Sequence, residues 1–98
     1  MSAFLRCQVG PGMFSGEVAV RGKTAEGTEF SLFVADDYVE YDAPAASSHP
    51  VDGWIHVDVL AREGGLVLVR LPGQTFENGR TVTVRDCEVE FRPRHEAV

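Results

Sequence analysis

The chain is poor in cysteine, in basic charge and in long apolar runs, and each shortage excludes a class of protein. There are two cysteines, Cys7 and Cys87, far apart in the sequence and in no CxxC pattern. One pair is too few for the disulfide framework of a small secreted domain, and the spacing offers no zinc or redox motif. Free cysteines behave as small hydrophobes, so both are expected reduced and at least partly buried. Lysine and arginine number 9 against 15 acidic residues, for a net charge of −6. Phosphate backbones and anionic bilayers are gripped by clustered cations, so neither nucleic acid nor a membrane is an expected partner. No stretch approaches the 18 or so apolar residues of a membrane-spanning helix. The start, Met1-Ser2-Ala3-Phe4-Leu5-Arg6, lacks the charged and apolar regions of a signal peptide. A cytoplasmic protein is the expectation.

Catalytic signatures are missing too. There is no GxSxG, HExxH, P-loop or GxGxxG. Gly10-Pro11-Gly12 is too short to cradle phosphate, and its proline removes a needed N–H. Asp36 to Asp42 is rich in acids but lacks the glycine of a calcium-binding loop. No catalytic residue, metal ligand or cofactor is therefore assigned, and the chain is expected not to be an enzyme.

What is present is β-structure. The 98 residues suit one domain, placed at 1–91, with a frayed tail over 92–98. Apolar residues make up 44%, enough for a folded core. Period-2 alternation and closely spaced turns indicate an all-β fold: a small barrel or strongly bent antiparallel sheet of six or seven strands, with no substantial helix. Strands are expected at Phe4–Val9, Met13–Arg21, Thr28–Val34, weakly at Asp36–Tyr41, and at Trp54–Ala61, Leu66–Leu71 and Thr81–Phe91. Phe14, Val18 and Val20 share a face of the second, whose Gly16 suggests a bulge or a close approach. Leu66–Leu71 is apolar on both faces and is expected to be central. Residues 42–53 form the one long loop. Asn78-Gly79 suits a two-residue hairpin turn, which would set Glu77 opposite Arg80. The last strand changes phase after Val84, as a bulge or corner would require. The two halves share no aligned pattern beyond alternation, so no internal repeat is expected.

One constellation invites a functional reading. Ile55, Val57, Val59 and Ala61 claim the core side of their strand, which leaves Trp54, His56 and Asp58 on the other face. Tyr38 is a second outward aromatic, on the weak acidic strand. Strand alternation creates such groupings freely, and a lone HxD is unspecific. A metal reading could add His49 and Asp52, but no spacing fixes them. The acids are also unevenly spread: residues 26–63 hold nine against Arg62, while residues 1–25 hold Arg6, Arg21 and Lys23 against Glu17. The expected function is that of a non-catalytic interaction module, binding a protein partner or self-associating as a homodimer through the face around Trp54. The alternative is binding of a small ligand or cation near Trp54, His56 and Asp58.

Overall fold

A computed structural model describes residues 2–41, 50–77 and 79–92. Eight strands form one curled antiparallel sheet: β1 Ser2–Pro11, β2 Glu17–Lys23, β3 Glu29–Ala35, β4 Val39–Tyr41, β5 Val51–Glu63, β6 Leu66–Thr75, β7 Gly79–Arg85 and β8 Val89–Arg92. The path across the sheet runs β3-β2-β1-β5-β6-β7, six strands making a half-barrel, with β4 paired to β5 and β8 to β1. Among the described residues no helix is long and apolar enough to cross a membrane.

Alternation decides which side of each strand is dry. Leu5, Cys7 and Val9 of β1, Val18 and Val20 of β2, Phe30, Leu32 and Val34 of β3, Ile55 and Val57 of β5, Val67, Val69 and Leu71 of β6, and Val82 and Val84 of β7 all point inward and are buried. Each such side chain contributes roughly 1.5–3 kcal/mol by leaving water. The curl brings the two ends of the path together. The Phe76 amide donates to the Ser31 carbonyl at 2.9 Å, and the Ala25 amide donates to the Thr83 carbonyl at 2.9 Å. Each hairpin tip is thus docked on the edge strand of the opposite half.

The chain is in fact an internal repeat, which overturns the expectation from sequence. The pairs Val39↔Ile55, Glu40↔Trp54 and Tyr41↔Gly53 between β4 and β5 recur as Val89↔Leu5, Glu90↔Phe4 and Phe91↔Ala3 between β8 and β1. Gln8↔Arg21 recurs as Asp58↔Arg70, and Val20↔Leu32 as Val69↔Val82. The turns repeat as well. Gly16 and Gly65 precede β2 and β6 with φ of 81° and 80°. Their carbonyls accept hydrogen bonds from the Asp36 and Asp86 amides, both at 2.9 Å. Those aspartates open matching 3-10 turns, Asp36–Tyr38 and Asp86–Glu88. Antiparallel pairing of β1 with β5 makes the relation between halves an approximate two-fold. Each half lends its last strand to the first strand of the other.

Several local expectations change. Phe14 does not share a face with Val18 and Val20; it is 73% exposed in the turn before β2, and Gly16 belongs to that turn and not to a bulge. Asp36–Tyr38 is a 3-10 turn, so only Val39–Tyr41 of the weak strand is extended. The phase change after Val84 has the same cause, since a 3-10 turn rotates the chain between β7 and β8. Leu66–Leu71 is not apolar toward the core on both faces: Leu66 is exposed, and β6 lies one strand from the end of the path. Ile55 and Val57 are buried as expected, but a register shift between Val59 and Ala61 turns Ala61 outward. Residues 51–53 belong to β5, and the rest of the expected loop apart from Pro50 lies outside the described residues. Asn78 does too. Thr75 pairs with Gly79, whose φ is 77°, and Glu77 does not face Arg80. Its carboxylate instead accepts from the Ser31 amide and hydroxyl at 2.8 and 3.0 Å. Arg80 donates to the carbonyls of Leu71 and Pro72, within the stretch where the β6–β7 register shifts. Cys7 is buried, but Cys87 is exposed and both are free. Arg92 is not frayed; it lies in β8 and is held by ion pairs, while 93–98 fall outside the described residues.

Candidate functional site

Opposite the core, β1 and β5 present a mixed face. Residues between the inward Ala3, Leu5 and Cys7 must point outward, which places Phe4 and Arg6 there; the same rule places Trp54, His56 and Asp58 of β5. The pairing sets Arg6 opposite Trp54 and Phe4 opposite His56. The Arg6 guanidinium lies 5.4 Å from the centroid of the half-buried Trp54 ring and pairs with Glu88 at 3.7 Å. His56 packs against Phe4 with ring centroids 5.2 Å apart and planes at 38°. Arg92 covers the other side of this group, 4.2 Å from the Phe4 ring. It hydrogen-bonds Glu40 and Glu90, which raises its pKa above the ordinary arginine value, Glu40 contributing most. Arg6 thus lies over Trp54 and Arg92 over Phe4, with carboxylates beside both cations.

Of the four residues singled out from sequence, three converge. Tyr38, His56 and Asp58 line one small cleft of about 220 Å³, with Arg70, Pro72 and Arg80. Tyr38 arrives there because β4, which follows its 3-10 turn, pairs with β5. Trp54 does not line that cleft; it sits on the outward face beside Arg6. Asp58 is paired with Arg70 at 3.5 Å. Among the described residues, no three His, Cys, Asp or Glu side chains come together to hold a metal ion. His49 is outside them, so the four-ligand reading that used it has no structural account.

A second and larger cleft, of about 550 Å³, lies where the β2–β3 hairpin tip docks on β7. Its charged lining includes Arg6, Arg21, Lys23 and Arg85, with Glu29 and Glu88. Arg21 pairs with Glu29 at 3.2 Å and Arg6 with Glu88. The repeat makes the two clefts counterparts: Arg6, Gln8 and Arg21 of the larger stand where His56, Asp58 and Arg70 of the smaller stand. Sequence reading missed Phe4, Arg92 and this cleft. Alternation in β1 does announce Phe4 and Arg6 as outward residues, but only the pairing with β5 sets them beside Trp54 and His56. Comparison with models of known families, with curated proteins and with solved structures gives no match.

Proposed function

We propose that the domain is a non-catalytic interaction module that self-associates through the outward face of β1 and β5. The observation that carries this reading is the set of half-buried aromatic side chains Phe4, Trp54 and His56 on the outward face of β1 and β5, with Arg92 over Phe4 and Arg6 over Trp54. Tryptophan and arginine dominate the energetics of protein contacts, and preset side chains lose little entropy on binding. A second copy is the favoured partner because this face has an approximate two-fold of its own. A two-fold dimer needs a patch that matches itself, and here both charge signs are present in Arg6 and Arg92 against Glu40, Glu88 and Glu90. The net charge of −6 opposes association, so added salt strengthens it by screening.

The test is sedimentation over a concentration series, at low and moderate salt, for the native chain and for Trp54→Ala. Concentration-dependent dimerisation, lost in the variant with thermal stability nearly kept, supports the reading. A monomer at all concentrations overturns it, as does a dimer indifferent to the substitution. A loss of about 3 kcal/mol or more in stability makes Trp54 a structural residue and removes it from the interface.

The small cleft at Tyr38, His56 and Asp58 favours a second reading, binding of a small ligand. A cation is the weaker choice there, because Arg70 already neutralises Asp58 and Arg80 lies close by. A thermal shift with zinc, abolished by His56→Ala, would restore the cation version.

A further inference from the structure

The geometry points to the larger cleft as a binding site for a small polyanion, a molecule carrying two or more phosphate or carboxylate groups. This goes beyond self-association; the cleft adjoins the self-association face and shares Arg6 and Glu88 with it. Its volume of about 550 Å³ lies in the range of small-molecule sites. Four cations converge on it from separate places: Arg6 from β1, Arg21 and Lys23 from β2, and Arg85 from the end of β7. In a chain of net charge −6 this gathering runs against the average.

Two of the four are engaged within the cleft wall, Arg21 with Glu29 and Arg6 with Glu88. All four side chains of these pairs are 43–63% exposed. Such pairs hold by roughly 0–1 kcal/mol, so an incoming anion exchanges readily for the carboxylates. Lys23 and Arg85 have no ion pair among the described residues. One further acid, Asp52, lines the cleft and leaves the cations in excess. The Thr24 hydroxyl, whose oxygen accepts from the Thr28 amide at 3.2 Å, stands at the same wall with its proton still to donate.

The internal repeat supplies a comparison within one molecule. Arg21 has the counterpart Arg70, so an arginine at this point belongs to the shared architecture. The unpaired cations do not. The pairing sets Ala35 at the place of Arg85, and two residues past Arg70, as Lys23 is past Arg21, the other half carries the neutral Pro72. Gln8, neutral here, is replaced by Asp58. Folding alone is thus satisfied at these places without the extra positive charge. The larger cleft gathers four cations against three carboxylates, where the smaller holds Arg70 and Arg80 against Asp58. Arginine forks suit the paired oxygens of phosphate and carboxylate, and lysine adds a point charge.

The test uses the full chain at constant ionic strength, with pyrophosphate and citrate as probes and chloride as the control. Thermal melting and calorimetric titration are read for the native chain, for Lys23→Ala with Arg85→Ala, and for Arg70→Ala in the counterpart cleft. The expected result is a saturable rise in melting temperature with either probe and an apparent Kd about tenfold or more weaker in the double variant, the loss of at least one charge-assisted hydrogen bond. Arg70→Ala should respond like the native chain. A response to chloride equal to that of the probes is screening of net charge and overturns the proposal. So does binding that survives in the double variant, or no saturable response at millimolar probe. Pyrophosphate without citrate, or the reverse, identifies the anionic group. The variants leave Arg6, Glu88 and Trp54 in place, so a loss of dimerisation and a loss of anion binding are told apart.

Discussion

Leu5 and Ile55 face each other across β1 and β5, and the relation between the two halves exchanges one for the other. The local two-fold therefore passes through this buried pair, which is 1% and 0% exposed. Around it the other pairs are swapped in turn. Arg6↔Trp54 takes the place of Phe4↔His56, and Cys7↔Gly53 that of Ala3↔Val57. Positions that are chemically equal in this scheme should respond alike to mutation, and those that are unequal mark where the halves have diverged.

The turn glycines test the first half of that statement. Gly16 and Gly65 have φ near +80° and open space where a Cβ would go. Gly16→Ala and Gly65→Ala should each cost about 1 kcal/mol, from left-handed backbone strain alone. The two lie in separate turns, so the double variant should show the sum. Equilibrium unfolding in urea measures all three.

Gly22 and Phe30 test the second half. A Cβ at Gly22 would come within 2.5 Å of the Phe30 ring, which is fully buried. One residue past Arg70, which matches Arg21, the other half carries the buried Leu71, so the glycine is required by the phenylalanine and not by the strand. Gly22→Ala should cost about 1–3 kcal/mol by overpacking. Phe30→Ala alone should cost about 3–5 kcal/mol. In the double variant the alanine at 22 partly fills the space left by the ring, so its cost should fall below the sum of the singles in a thermodynamic cycle.

At Gly53 the constraint is the neighbouring backbone. A side chain there would lie 2.6 Å from the Glu40 carbonyl oxygen and 2.8 Å from Val9, whereas the equivalent Ala3 carries its methyl. Gly53→Val should loosen β4 from β5 and lower the melting temperature by several degrees. Hydrogen exchange should then rise at Val39–Tyr41 more than at Val89–Arg92.

Cys7 sets an alkaline limit. Burial, with the charge of Asp52 as a smaller cause, pushes its thiol up to about 12 from 9.0. A group whose folded pKa is raised contributes stability that is present below pH 9 and is lost as pH rises toward 12, because only the unfolded chain ionises there. The folding constant should fall by up to tenfold per pH unit in that window. Cys7→Val, which installs the residue found at the equivalent Val57, should remove this component while other groups titrate as before. In the native chain a thiol reagent should modify Cys87 quickly and Cys7 only at the rate of unfolding.

Much of the sheet was legible from alternation, because one face of each strand is buried. Phe30, Leu32 and Val34 announce their side, as do Ile55 and Val57. The outward placement of Trp54, His56 and Asp58 followed from the same rule. The two 3-10 turns were not legible, since three residues such as Asp-Asp-Tyr or Asp-Cys-Glu hold no periodicity. In the sequence they read as part of a weak strand and as a bulge or corner. The repeat was hidden by sparse identity and by a one-residue slip: Gln8 maps to Asp58, but its partner Arg21 maps to Arg70. The larger cleft depends on a hairpin tip meeting β7, a contact that no local pattern encodes.

The exchange of last strands has a kinetic consequence. β8 must find β1 across nearly the whole described chain, Ser2 against Arg92, and β4 must pair beyond its own half with β5. Neither half completes its sheet from its own residues, so partial folding leaves β1 or β5 with an open edge. A pairing as distant along the chain as that of β1 with β8 slows folding. The exchange also leaves a route to error, because a β4 or β8 that misses its own molecule finds the same edge waiting on another.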